Sequence, residues 1–149
     1  MDVTIRAVEA SDVPTLDILR RQSLEEAFRG TYDRSDFAGL VATPDDDLRN
    51  QIDSDRYVVK MTETEVTAVS YGVFDTEDCN LAALYTSPDY QREGFGTTLL
   101  DSLVSGVDCT TISTVAPATA TPFFEAYGFE SVGETQWNGL SGHTFEYHP

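Results

Sequence analysis

Positive charge is what this sequence has least of. Eight arginines and a single lysine, Lys60, stand against 26 Asp and Glu in 149 residues, for a formal net charge of -17. Binding to nucleic acid by phosphate neutralisation needs clustered Lys and Arg, so that class is excluded. Apolar runs are short as well. None approaches the roughly 20 residues of a membrane span, and the N-terminal segment MDVTIRAVEASD has neither the basic nor the apolar region of a signal peptide, so a cytoplasmic protein that does not enter membranes is expected. Cysteine and histidine are scarce: Cys79 and Cys109 lie beside predicted strands and read as buried free thiols, and His143 and His148 have no partner at ligand spacing. No metal site is expected from them.

Hydrophobic residues are present in ordinary measure, 40% with 11% aromatic, so the chain should fold, and its length suits one domain over residues 1–149. The acids are spread along the chain instead of forming one block. Their mutual repulsion is screened where salt is high, the Debye length falling to roughly 3 Å at 1 M, so a salt-rich cytoplasm and a halophilic source are expected.

Val3 to Val8 alternates as a strand, and Ser11-Asp12 with Pro14 opens a helix to about Phe28 whose buried stripe is Val13, Leu16, Leu24 and Ala27. Residues 30–43 are irregular in pattern, and Asp45 to Ile52 reads as a short helix. Tyr57 to Met61 and Val66 to Phe74 make a hairpin, followed by a strand at Leu81 to Thr86, a strand at Thr110 to Val115 and a helix at Thr119 to Tyr127. Phe129 to Glu134 and Thr144 to Tyr147 are final strands around a Gly-rich turn at Asn138 to Gly142.

The stretch that carries chemistry lies between. The apolar strand Leu81 to Tyr85 is closed by Ser87-Pro88-Asp89, and Leu99, Leu100, Leu103 and Val107 then recur at helical spacing. Gln91-Arg92-Glu93-Gly94-Phe95-Gly96 therefore stands at a helix start, where unpaired N–H groups and the positive end of the helix dipole attract anions. Glycines at positions 94 and 96 let the backbone approach a phosphate closely, and Arg92 adds a cation. A glycine-containing connection that binds nothing is the plain alternative. The dinucleotide fingerprint fails, since Leu99 stands where its third glycine would fall, and no Gly-Lys-Ser/Thr follows as a P-loop requires.

Gln91-x-x-Gly94-x-Gly96, following Leu84-Tyr85-Thr86-Ser87-Pro88, resembles the coenzyme loop of the GCN5-related N-acetyltransferases. The element order resembles that family's too. The resemblance implies an α/β (α+β) fold: a mixed, mostly antiparallel sheet of about seven strands with about four helices, splayed between its fourth and fifth strands. It implies acetyl-CoA as co-substrate, with the pantetheine arm along Leu84, Tyr85 and Thr86 and the pyrophosphate on Gln91, Arg92, Glu93, Gly94, Phe95, Gly96 and Thr97. The implied reaction is direct acetyl transfer to an amine of a small molecule or peptide, near Tyr32 to Asp55, Tyr71 and Trp137. A homodimer is left open, as family members often dimerise. The chain departs from the family pattern in Phe123-Phe124-Glu125-Ala126-Tyr127-Gly128-Phe129, where Phe124 replaces the tyrosine that protonates the departing thiolate, and in Pro117, which replaces an asparagine. Tyr127, one turn on, is the residue left for the acid's role, against a core-packing role, and Thr119 or Thr121 for part of the asparagine's. Asp75, Glu77 and Asp78 read as a solvated turn. A non-catalytic acyl-CoA sensor or partner module that has lost the acid is the competing class.

Overall fold

The computed structural model describes residues 2–42 and 47–149. In chain order the elements are β1 (Thr4–Ala7), α1 (Val13–Phe28), α2 (Arg34–Ala42), α3 (Leu48–Ile52), β2 (Tyr57–Glu63), β3 (Ala68–Asp75), β4 (Asn80–Thr86), α4 (Phe95–Val104), β5 (Ile112–Pro117), α5 (Thr121–Tyr127), β6 (Glu130–Trp137) and β7 (Leu140–Tyr147). One seven-stranded sheet results, in the order β1-β2-β3-β4-β5-β7-β6. Every junction is antiparallel except β4 with β5. This is the mixed fold expected from the sequence.

Strand β3 is buried along its whole length because helices cover both of its faces. Tyr71 and Val73 join Leu16 and Leu19 of α1 and Leu48 of α3 in one core. Phe74 joins Leu99, Leu100 and Leu103 of α4 in the other. Gly72 lets α4 lie close, since a Cβ there would stand 2.5 Å from Leu103 Cδ1. The helices α1 and α4 thus flank opposite sides of the sheet, which decides the shape of the cleft below.

The β4–β5 junction is where the sheet opens. These strands pair at Asn80 and Ser113. The Ser113 amide donates to the Cys79 carbonyl at 3.0 Å, and the buried Thr114 hydroxyl donates to the Leu81 carbonyl at 2.7 Å. Past Leu81 no further β4–β5 register appears among the described residues, and the strands diverge toward their C-terminal ends.

Cys79 and Cys109 are a disulfide, not the pair of free thiols read from the sequence. Their separation of 30 residues is spanned by α4, a crossover that returns the chain to the start of a neighbouring parallel strand and brings the two Cα atoms to 6.1 Å. The bond lies beside the Asn80–Ser113 pairing, at the end where β4 and β5 stay together.

Several elements differ from expectation. Residues 34–42 form a helix, α2, on one buried contact: Phe37 meets Phe28 edge-on at 5.5 Å. The short helix expected from Asp45 is described only from Leu48, residues 43–46 lying outside the described residues. In α1 the stripe closes on Phe28, fully buried, and leaves Ala27 exposed. The final hairpin is longer than expected, β6 running to Trp137 and β7 starting at Leu140, because Asn138 (φ 49°) and Gly139 (φ 83°) make the whole turn. Two left-handed residues suit the twist of a tight hairpin.

Candidate active site

Strand β4 leads through a 3-10 turn at Pro88–Tyr90 into the loop before α4. Gln91 ties this loop back to the strand, its side-chain amide donating to the Thr86 carbonyl at 3.5 Å. Arg92 (φ 64°) and Gly94 (φ 82°) are both left-handed, and α4 begins at the next residue. Left-handed backbone at Arg92 is sterically unfavourable for a side chain other than glycine, so the loop conformation is held by its surroundings. The first bond of the helical ladder runs from the Thr98 amide to the Gly94 carbonyl at 3.0 Å. The amides of Phe95, Gly96 and Thr97 precede that ladder and point out of the helix end. Gly96 lies against α5: a Cβ on it would stand 3.0 Å from Phe123 Cε1.

The helix start and the gap between β4 and β5 open into the same cleft, of about 690 Å³. Every residue that the resemblance assigns to the coenzyme lines it except Glu93: Leu84, Tyr85, Thr86, Gln91, Arg92, Gly94, Phe95, Gly96 and Thr97. The opposite wall is β5 from Thr114 to Pro117 with Thr119, Phe123 and Phe124. Ser23, Leu24, Ala27 and Phe28 of α1 join the lining together with Trp137 of β6. Since α1 and α4 cover opposite faces, the cleft passes through the sheet, with the glycine loop on one side and an aromatic end on the other.

The lining has one formal charge, Arg92, and no Asp or Glu among the described residues. Two carboxylates around the β3–β4 turn are held by an arginine. Asp75, read from the sequence as part of a solvated turn, is instead buried at the end of β3, where it accepts two bonds from Arg56, Nε to Oδ1 at 2.9 Å and Nη2 to Oδ2 at 2.7 Å, and this guanidinium holds its carboxyl below the usual carboxylate range. Asp78 shares the same arginine.

Tyr127, the residue the sequence leaves for the acid's role, does not line the cleft. Its hydroxyl donates to Asp101 Oδ1 at 2.7 Å, and its ring packs with Phe129 and Tyr147. Burial, then the Asp101 carboxylate, pushes its phenol well above the usual tyrosine range, so it gives up a proton less readily. Phe124, which replaces the family's tyrosine, does line the cleft. Of the residues expected near an acceptor, Trp137 lines the cleft, Tyr71 is fully buried in the core beside Tyr85, and Tyr32 donates to the Ser141 carbonyl at 2.8 Å. Thr119 reaches the lining and Thr121 does not. Leu24 and Phe28 were missed because a buried helical stripe reads as core. Ala27, read from the sequence as part of that stripe, is exposed and lines the cleft beside them.

A mixed sheet parted between two parallel neighbours, with a glycine-started helix at the opening, defines the class of domains that thread an extended anionic ligand through a sheet. The family model described as an acetyltransferase (GNAT) domain matches residues 20–147, and the chain belongs to that family. The Escherichia coli protein named as the uncharacterized N-acetyltransferase YafP is 32% identical over 87 residues, which span 55% of this chain and 57% of that protein. A GCN5-related N-acetyltransferase from Rhodopseudomonas palustris superposes with a TM-score of 0.87 over 100% of this chain and 97% of its own, at 18% identity. The PaiA N-acetyltransferase of Thermoplasma acidophilum, solved in complex with coenzyme A, gives 0.81 over 100% of both chains, also at 18% identity. At such identity the likeness is one of fold.

Proposed function

We propose that the chain is an N-acetyltransferase that moves the acetyl group of acetyl-CoA directly to an amine. One observation supports this: the β4 residues beyond its pairing with β5 and the backbone at the start of α4 line one cleft. An extended amide-bearing arm adds to β4 as a strand would, at Leu84, Tyr85 and Thr86. The diphosphate takes the amides from Arg92 through Thr97, and the PaiA protein, which shares this fold, was solved in complex with coenzyme A. Gln91 and Glu93 flank that loop, Gln91 by fixing it to Thr86.

The chemistry is direct attack of the amine nitrogen on the thioester carbonyl, with loss of the thiolate. Strand amides polarise the carbonyl. No carboxylate, histidine or cysteine lines the described cleft, so catalysis rests chiefly on holding the amine and thioester together, and the surplus proton leaves through water. The test is titration with acetyl-CoA of the protein and of Gly94→Ala, beside a thiol-release assay with an amine panel. Full coenzyme affinity and turnover in Gly94→Ala refutes the assignment.

Phe124 favours a second reading, a sensor that binds acyl-CoA without turnover, because a phenyl ring supplies no proton to the thiolate. Coenzyme binding with no thiol release from any amine would establish it. The setting we infer is a salt-rich cytoplasm, which the charge of -17 fits, and a homodimer is compatible with the fold. A disulfide is uncommon in a reducing cytosol, so alkylation of the protein in fresh cell extract tests that setting directly.

A further inference from the structure

The acceptor end of the cleft has its own chemistry. It lies on the α1 side of the sheet, away from the glycine loop, and is made by Leu24 and Phe28 of α1, Tyr85 of β4 and Trp137 of β6. Phe28 and Trp137 meet edge-on at 5.8 Å, with Phe28 and Leu24 buried as a floor and Tyr85 and Trp137 half-exposed above it. In a chain with 26 carboxylates, none lines this end among the described residues. At the diphosphate end their absence follows from the ligand's charge. Here it does not, because an ordinary amine is a cation, and a site built for one needs an anion or carbonyl partner to offset its desolvation.

We propose that the acceptor is an aromatic amine, a nitrogen bonded directly to an aryl ring. This rests on the acetyltransferase reading above. The ring lies against Trp137 and Tyr85 as aromatic pairs do, offset or edge-on. Its nitrogen lone pair is shared with the ring, so the amine is unprotonated at neutral pH and needs neither a carboxylate to hold it nor a base to activate it. An alkylamine with a pKa near that of lysine, about 10.4, is neutral in only roughly one molecule in a few thousand at pH 7. The aryl nitrogen attacks the acetyl carbonyl, the C–N bond forms as the C–S bond breaks, and the nitrogen's surplus proton goes through water to the thiolate, giving an aryl acetamide and free coenzyme A.

Aniline and benzylamine share a ring and differ in protonation, which makes them the deciding pair, with spermidine as a polycation. At pH 7 we expect kcat/KM for aniline to exceed that for benzylamine at least tenfold. The aniline value should be flat from pH 6 to 8, while that for benzylamine rises about tenfold per pH unit. Trp137→Ala should raise the aniline KM about tenfold and leave the acetyl-CoA Kd within twofold. Equal or better use of benzylamine or spermidine at pH 7 overturns the proposal and leaves the acetyltransferase reading standing. Acetyl-CoA binding with no aniline turnover also overturns it, and failure to bind acetyl-CoA at all overturns both.

Discussion

Substituting Gly94 separates the cost to the fold from the cost to the ligand. In the free protein a Cβ at position 94 meets nothing within 4 Å, so Gly94→Ala creates no clash. What it does create is a left-handed non-glycine residue at φ 82°, at a cost of about 1–2 kcal/mol. For a domain of this size that corresponds to a fall in Tm of roughly 3–6 °C. The strain is the same with and without ligand and cancels from the binding equilibrium. Any loss of affinity must then come from the space the methyl takes and the amide contacts it displaces. A hydrogen bond to a charged group is worth about 1.5–3 kcal/mol, so losing one raises Kd for acetyl-CoA roughly 10- to 100-fold. Gly96→Ala is the companion. Its Cβ would stand 3.0 Å from Phe123 Cε1, a half-buried ring that shifts by a few tenths of an ångström, and the helix gains about 1 kcal/mol from alanine. Its Tm should stay near wild type while Kd rises as for Gly94→Ala. Calorimetric titration and thermal unfolding on both variants decide it. Kd within twofold of wild type in both, with Gly94→Ala showing its expected loss of Tm, would refute the placement of the diphosphate.

Reducing the Cys79–Cys109 disulfide should lower Tm by roughly 10 °C, because closing a 30-residue loop is worth about 3.6 kcal/mol on a chain-entropy estimate. Thermal unfolding with and without reductant measures this, and two titratable thiols before any reductant would disprove the bond. Tyr127→Phe should leave kcat within about twofold, since the phenol is bonded to Asp101 outside the cleft, and a loss of 100-fold in steady-state turnover would restore it as the acid. Acid lability should trace to two carboxylates. Arg6 holds Asp12, and Arg56 holds Asp75, below the usual carboxylate value of about 3.9, so each adds stability at neutral pH that is lost as pH falls through its lowered folded value. Tm plotted against pH below 4 should be less steep in Arg56→Gln than in wild type, and equal slopes would count against the pairing.

The parts of this fold visible in the sequence were those set by local rules. Ser87-Pro88-Asp89 ends β4 and Gly94 starts α4 because backbone angles and a missing amide are properties of those residues themselves. What escaped was decided by tertiary placement. Helix α2 is only nine residues long, and its short stripe of Phe37, Leu40 and Val41 finds its partners in Leu24 and Phe28 of α1, which the local pattern does not show. Strand β6 is exposed along nearly its whole length, so neither of its faces carries an apolar signal from which its extent could be read. The disulfide was obscured by sequence distance, which says little once a crossover returns the chain to a parallel neighbour. Tyr127 sits at the right interval for a substitute acid, but its interval does not say which way α5 is turned, and Phe124 takes the cleft-facing position.

The scarcity of cations sharpens the role of α4. A surface at -17 repels an anionic coenzyme, so attraction must be local, in amides and nearby charges and not in the field of the whole molecule. Two of the nine basic residues are spent at the two ends of this one helix. Arg92 stands in the loop just before its N-terminus, within the cleft. Lys60, the chain's single lysine, reaches from β2 to the last turn and donates at 3.0 Å to both the Ser102 carbonyl and its hydroxyl. A cation on the last carbonyls satisfies groups the ladder leaves open and opposes the negative end of the dipole. It also ties α4 to the strand beside β3, on which Gly72 already lets the helix lie close. The amides at the other end are thereby held by the core, aimed before a ligand arrives. A helix fixed at its far end suits a cleft lined, among the described residues, by no carboxylate or histidine, because it delivers the positioning on which the proposed transfer rests.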